Sequence, residues 1–286
     1  MEAIIKARGL TKMHGNFLAL NDFSFELGAG RIMGLIGPNG AGKTTALRCL
    51  MGMSSYLGEL TVLGKDPSKE RMDILTDVAY IADTAILPSW ITVDQLFEYT
   101  AGVHPKFDLA RANSFLRQTE VSKHSTIGTL SKGMITQVHL ALAISIDAKL
   151  LVLDEPTIGL DILYRKRFYE QLLNDYFDKG KTILITTHQV EEVEHLLTDL
   201  LFIKNGNTVL SMEMETVGQQ FVELEANDQN LEQARLLNPI HERKGLGVTA
   251  FIFEGVEEAK LVPLGNIKTP SVADLFVAKM SERERQ

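Results

Sequence analysis

The chain has 286 residues, of which 45% are hydrophobic and 23% charged, with a formal net charge of −8. This is the composition of a folded globular chain, and its acidic balance excludes a surface built to displace counterions from nucleic-acid phosphates. No run of about 18 apolar residues marks a membrane span, the N-terminus lacks the basic-then-apolar pattern of a secretion signal, and a lone cysteine (Cys49) excludes an internal disulfide. A soluble chain that stays in the cytoplasm is therefore expected. The seven histidines show no HxxxH spacing and there is no CxxC, so no protein-ligated transition metal is expected.

Residues 4–10 and 23–27 alternate as half-buried strands around a polar turn at Gly15-Asn16, which makes them antiparallel candidates. Residues 31–36 read as a short buried strand and 45–51 as a helix, with a glycine-rich loop between them. Further strands are expected at 59–63, closing at Gly64, and at 78–81. From about 90 to 146 the apolar spacing turns helical, and strands resume at 150–153 and 182–186. A helix over 162–177 between them makes a parallel βαβ unit. From about residue 213 a separate pattern follows: a strand at 221–224, a helix near 229–237, a strand at 248–253, and a last helix that Thr269 can cap with Pro270 in its first turn.

The loop Gly37-Pro38-Asn39-Gly40-Ala41-Gly42-Lys43-Thr44 meets the Gly-x4-Gly-Lys-Ser/Thr spacing of a phosphate-binding P-loop. It sits between a strand and a helix, so the helix N-terminus aims its unpaired N–H groups at an anion, with Thr45 continuing into the first turn. The glycines admit close backbone approach and positive φ, Lys43 reaches the β- and γ-phosphates, and the Thr44 hydroxyl suits Mg2+. Four apolar residues then lead into Asp154-Glu155. A strand ending in two carboxylates beside a phosphate site can hold Mg2+ through Asp154 and polarise an attacking water through Glu155. His188 ends the next strand, where its imidazole can meet the γ-phosphate.

Taken with Leu130-Ser131-Lys132-Gly133-Met134, this order of elements resembles the ATP-binding cassette of ABC transporters over residues 1 to about 212. The resemblance implies an α/β fold: a P-loop NTPase (RecA-like) core, an N-terminal antiparallel β subdomain, a helical subdomain over about 84–146, and a small C-terminal α/β appendage over 213–286. It also implies that ATP is sandwiched between the P-loop of one subunit and the signature loop of another. Ser131 would then offer a hydroxyl and Gly133 a backbone N–H to the γ-phosphate, and Asp161, in Gly159-Leu160-Asp161, would touch the partner's site. Four positions depart from the family pattern. Lys132 and Met134 replace a glycine and the glutamine of the signature. Asp83 stands where a Gln or Glu usually touches Mg2+, and His14 stands where a tyrosine usually stacks on adenine, with Phe17 as a second candidate. Trp90, Phe97 and Tyr99 fall in the stretch that lines the family's groove for the membrane subunit.

What the resemblance implies is the ATP-hydrolysing subunit of a transporter, with ATP and Mg2+ as cofactors and Lys43, Glu155 and His188 as catalytic side chains. Its partners would be a transmembrane permease and a second ATPase subunit. The chain would lie on the cytoplasmic face of the membrane through the permease, and the form of the signature leans toward bacterial exporters of the ABC-2 type. One alternative is a soluble ABC ATPase that remodels ribosomes or DNA; a single P-loop, and no sustained heptads between 45 and 130, speak against it. A P-loop kinase or GTPase of other design is the second, and no Asn-Lys-x-Asp motif is present to read guanine.

Overall fold

Alternation of apolar and polar residues near the N-terminus produces two long strands, β1 (Ala3–His14) and β2 (Phe17–Gly28), paired antiparallel from Ala3↔Gly28 to His14↔Phe17. They outrun the apolar stretches 4–10 and 23–27 because main-chain pairing carries their exposed ends as far as the Gly15-Asn16 turn. The computed structural model describes residues 3–82, 87–157, 160, 162–175, 180–245 and 248–281. After β3 (Ile32–Ile36) and α1 (Lys43–Leu50), strand β4 (Leu57–Val62) pairs with β1 to complete a three-stranded antiparallel sheet, β2-β1-β4.

The central sheet gathers strands from most of the chain. Beyond α2 (Arg71–Leu75) come β5 (Val78–Ile81) and then three helices, α3 (Val93–Val103), α4 (Leu109–Leu116) and α5 (Lys132–Ile144). The sheet resumes with β6 (Leu150–Asp154), α6 (Ile162–Asp175), β7 (Thr182–Thr187), α7 (Val190–Val193), β8 (Asp199–Lys204) and β9 (Asn207–Glu213). The strand order is β5-β6-β7-β3-β8-β9, parallel throughout except for β9. Every residue of β3, β6 and β7 is buried, as a parallel sheet covered on both faces requires. Alternate side chains serve different cores: Ile32, Ile36, Ile183 and Ile185 face the helices, while Met33, Leu35 and Leu184 face α1 and the antiparallel sheet.

The order β6-β7-β3 places three adjacent strand ends side by side, and these carry Asp154-Glu155, His188 and the P-loop respectively. This is the carboxyl edge of an open α/β sheet, where such folds bind ligands. Among the described residues no helix is long and apolar enough to cross a membrane.

The remaining chain forms α8 (Val217–Gln220), β10 (Phe221–Ala226), α9 (Leu231–Leu236), β11 (His241–Lys244), β12 (Thr249–Glu254), α10 (Glu258–Leu261), β13 (Gly265–Lys268) and α11 (Val272–Ser281). Its four strands make an antiparallel sheet, β11-β12-β10-β13, one face of which packs Val222, Leu224, Phe251 and Phe253 with Ala234 and Leu261. Helix α11 returns to the larger core, where Phe276 meets Phe202 edge-on at 5.3 Å and the Val272 N–H donates to Glu194 at 3.0 Å.

Two sequence expectations are corrected here. The cap of α11 is Ser271, whose hydroxyl accepts from the Asp274 N–H at 3.1 Å; Thr269 lies too far upstream, because Pro270 precedes the helix and does not fill its first turn. Phe97 is fully buried and tilts against Phe107 at 6.2 Å, so it packs the helical region's own core, whereas Trp90 and Tyr99 are exposed.

Candidate active site

The P-loop is shaped by two glycines that nothing larger can replace. A Cβ at Gly37 would fall 2.5 Å from the Ile203 carbonyl oxygen, and at Gly42 2.6 Å from that of Ala19; Gly42 also caps α1 with a left-handed φ of 112°. The loop then closes on itself through Ala41 N–H to Pro38 O at 3.1 Å, and Gly206 N–H donates to Ala41 O at 2.9 Å from the β8–β9 turn. Lys43 is folded beneath the loop and only 7% exposed. Its ammonium donates to the carbonyls of Gly37 at 2.7 Å and Pro38 at 3.4 Å and pairs with Glu155 Oε1 at 3.2 Å. Pro38, Asn39, Gly40, Ala41, Lys43, Thr44 and Glu155 line an open cavity of about 310 Å³, in which Thr44 is exposed; Thr45 behind it is half-buried.

Both carboxylates are set by the neighbouring strand. Asp154, fully buried at the end of β6, pairs in register with Thr186 of β7, whose hydroxyl donates to Asp154 Oδ1 at 2.6 Å. The same hydroxyl accepts the Glu155 N–H at 3.1 Å, and that N–H also reaches the Thr186 carbonyl at 3.2 Å. Glu155 needs this grip, because its φ of 49° lies in the left-handed region that costs an L residue about 1–2 kcal/mol. The turn aims its carboxylate back across the strand ends, so that Oε1 meets Lys43 and Oε2 meets His188 Nδ1 at 2.9 Å. One carboxylate thus bridges the P-loop lysine and the histidine of β7. Thr186 escaped the sequence reading; the available signal was a pair of threonines directly following the buried aliphatic run Ile183-Leu184-Ile185 at the end of β7.

Other expected residues lie elsewhere or outside the described residues. Ser131 is the N-cap of α5, its hydroxyl accepting the Met134 N–H at 3.2 Å, and α5 ends at Ile144, two residues short of the helix expected to reach 146. Gly133 borders a different cavity of about 160 Å³, together with Thr136, Gln137, Tyr164 and Arg167. The P-loop cavity is therefore not completed by the signature loop of the same chain. His14 and Phe17 face each other across the tip of the β1–β2 hairpin, both exposed. Asp83 and Asp161 lie outside the described residues.

The site's chemistry matches a nucleoside triphosphate with a hard divalent cation. Main-chain N–H groups at the head of α1 and the Lys43 ammonium suit phosphate oxygens. The Thr44 hydroxyl and Asp154 carboxylate supply a sparse oxygen set of the kind that suits Mg2+, which keeps its remaining places for water and phosphate.

Comparison with known proteins agrees with this geometry. The family model described as "ABC transporter" matches residues 20–158. The chain is similar to the Nod factor export ATP-binding protein I of Rhizobium johnstonii, with 31% identity over 304 residues, 99% of this chain and 96% of that protein. It is likewise similar to the ABC transporter ATP-binding protein YtrB of Bacillus subtilis, at 25% identity over 291 residues, covering 99% and 100%. In fold it matches a solved structure described as an ATP binding subunit of an ABC transporter, with a TM-score of 0.68 and 24% identity over 75% of this chain and 91% of the other.

Proposed function

This chain belongs to the ABC transporter family and is an ATP-binding ATPase subunit of it; on that premise we propose that its ATP hydrolysis drives substrate export through a separate membrane-spanning permease. Two such subunits close head to tail, each lending its signature loop to the other's P-loop, and the pair sits on the cytoplasmic face of the membrane. Residues 1–212 form the ATPase domain, with its helical subdomain over about 84–146, and 213–286 form an accessory region. The names of the relatives support an exporter, since one is an export ATP-binding protein. The position of Gly133 on a cavity separate from that of the P-loop supports a site shared between two chains.

The observation that carries the catalytic reading is the Glu155 carboxylate bridging Lys43 and His188 at the mouth of the P-loop cavity. ATP phosphates entering that cavity draw the Lys43 ammonium toward themselves, which releases Glu155 Oε1 to accept a proton from, or orient, the attacking water. His188 holds the other carboxylate oxygen. The P-loop N–H groups, with Ser131 and Gly133 of the partner subunit, stabilise charge on the phosphates. Thr44 and Asp154 would hold Mg2+, which when bound neutralises charge on the phosphate oxygens, with Asp83 and Asp161 as further contacts. His14, backed by Phe17, faces the adenine.

Glu155→Gln keeps the side chain's size and removes its charge, so ATPase turnover falls by about 10²–10⁴ while ATP binding persists. Turnover at the wild-type rate in the purified variant would remove Glu155 from the reaction. The transport half of the proposal is tested by purifying the tagged chain from detergent-solubilised membranes. A polytopic membrane protein in the complex supports it, and ribosomes or DNA in its place overturn it.

A further inference from the structure

The side chain of Arg165 joins the two loops that carry Glu155 and His188. It projects from the first turn of α6 and is largely withdrawn from solvent, with 21% of the side chain exposed. Its Nε donates to the main-chain carbonyl of Leu160 at 2.7 Å, and its Nη1 donates to Gln189 Oε1 at 2.7 Å and pairs with Glu192 Oε1. Leu160 lies on the chain leading away from Glu155, and Gln189 directly follows His188. The segment of Gln189 is held from its other side by the Gln189 N–H donating to the Thr187 hydroxyl at 2.9 Å.

Glu155 occupies a backbone conformation that an L residue keeps only when its surroundings over-determine it. On its N-terminal side Thr186 supplies the hold. On its C-terminal side the chain runs through Pro156 and Thr157, anchored by the Thr157 hydroxyl against Tyr169 OH at 3.2 Å, to the Leu160 carbonyl that Arg165 grips. One planar group with donors pointing in two directions therefore sets the spacing between the loop of Glu155 and the loop of His188. A lysine ammonium cannot reproduce that fork. Arg165 itself does not line the P-loop cavity.

We propose that Arg165 is a positioning residue for hydrolysis: it fixes the 2.9 Å Glu155–His188 contact and so sets turnover without taking part in nucleotide binding. The inference rests on the reading that Glu155 acts on the water.

The test uses the full chain and measures kcat, KM, the Kd of a fluorescent ATP analogue and the thermal melting curve for Arg165→Ala, Arg165→Lys, Gln189→Leu, Glu155→Gln and the Arg165→Ala/Glu155→Gln double variant. A displacement of reacting groups by about 1 Å costs up to about 100-fold in rate, so Arg165→Ala is expected to lower kcat by about 10-fold or more. KM and Kd stay within about 2-fold, since the phosphate contacts of the P-loop are untouched. Arg165→Lys does not restore kcat. Gln189→Leu leaves α6 and the Glu192 pair in place and is expected to lower kcat by a smaller factor, again without moving KM, so it tests the idea even if Arg165→Ala fails to fold. In the double variant Arg165→Ala adds nothing to the loss from Glu155→Gln, because it acts through that carboxylate. An unchanged kcat in the Arg165 and Gln189 variants, or KM and Kd rising in step with the loss of kcat, or full rescue by Arg165→Lys, overturns the proposal. If Glu155→Gln itself keeps wild-type turnover, the underlying reading fails instead.

Discussion

Thr186→Val isolates the hydroxyl that places both carboxylates. Valine keeps the β-branched shape and strand preference of threonine, and residue 186 is fully buried between β6 and β3, so the sheet itself is preserved. What disappears is a donor to Asp154 Oδ1 at 2.6 Å and an acceptor for the Glu155 N–H at 3.1 Å. A buried hydrogen bond to a charged group is worth about 1.5–3 kcal/mol, whereas the Glu155 N–H retains the Thr186 carbonyl and loses little. The expected cost is about 2–3 kcal/mol, read as a lower urea midpoint with an unchanged slope, followed by circular dichroism. Turnover falls as well, because Asp154 loses its aim and Glu155 part of the grip on its left-handed backbone. Thr182→Val is the control: it removes a hydroxyl from the far end of the same strand, where the partner is the Gly30 N–H at 2.9 Å, and leaves the carboxylates alone. A Thr186→Val protein less than about 0.5 kcal/mol weaker than wild type, with wild-type turnover, would refute the assigned role.

Asp77 joins the end of α2 to the sheet: burial pushes its carboxyl upward, but hydrogen bonds and charge from Lys106 and Lys149 outweigh that and hold it below the usual range. Its stabilisation is complete above the unfolded carboxylate value of about 3.9 and drains away as pH falls through the lowered folded value, so Asp77→Asn should cost of order 1 kcal/mol at pH 7 and progressively less below about pH 4. A gap between the two urea midpoints that stayed constant into acid would contradict this. Burial pushes the Cys49 thiol up to about 11, so native protein at pH 8 should react with a disulfide reagent only as fast as it opens, and rapid labelling without denaturant would show the thiol to be accessible.

The P-loop was readable because the spacing of its glycines, lysine and threonine is itself the signal. Gly37 through Thr44 are contiguous in the chain and start their own helix, even though distant residues such as Ile203, Ala19 and Gly206 press against the loop. Asp154, Glu155 and His188 were readable as strand ends, since buried aliphatic runs precede them. Their arrangement was not. Asp154 meets Thr186, and Glu155 meets both Lys43 and His188, only because β6, β7 and β3 are neighbours in space, an order that the chain does not follow in sequence. Arg165 illustrates the same limit: on an exposed-looking helix rich in charge, nothing near it in sequence distinguishes a side chain with three partners from Lys166, which is 77% exposed. The edge strands β9, β11 and β13 were missed because their polar residues are held by pairing and carry little burial, whereas β8 was missed although Leu200-Leu201-Phe202-Ile203 is a fully buried apolar run.

The pairing of Lys43 with Glu155 also bears on the order of events at the site. With Lys43 paired to Glu155, the lysine's charge is offset by the group proposed to act on water, and the carboxylate is held at both oxygens. An ion pair at this depth resists removal of one partner but exchanges readily for a better one, and a triphosphate offers Lys43 several charged oxygens where Glu155 offers one. On the proposed roles, ATP binding both occupies the P-loop and releases Glu155, which ties the proposed base to the presence of its substrate. The second half of the environment, Ser131 and Gly133, is away from this cavity within one chain, with the Ser131 hydroxyl already accepting from Met134 and still able to donate. On the proposed dimer, that remaining O–H donor reaches the γ-phosphate only when a second subunit closes, so a Glu155 released by ATP alone works in an incomplete site. Hydrolysis then waits for the partner, and dilution of the purified chain below its association range should lower turnover per subunit while ATP binding is retained. Turnover per subunit that stays constant across that dilution would place the whole catalytic site within one chain.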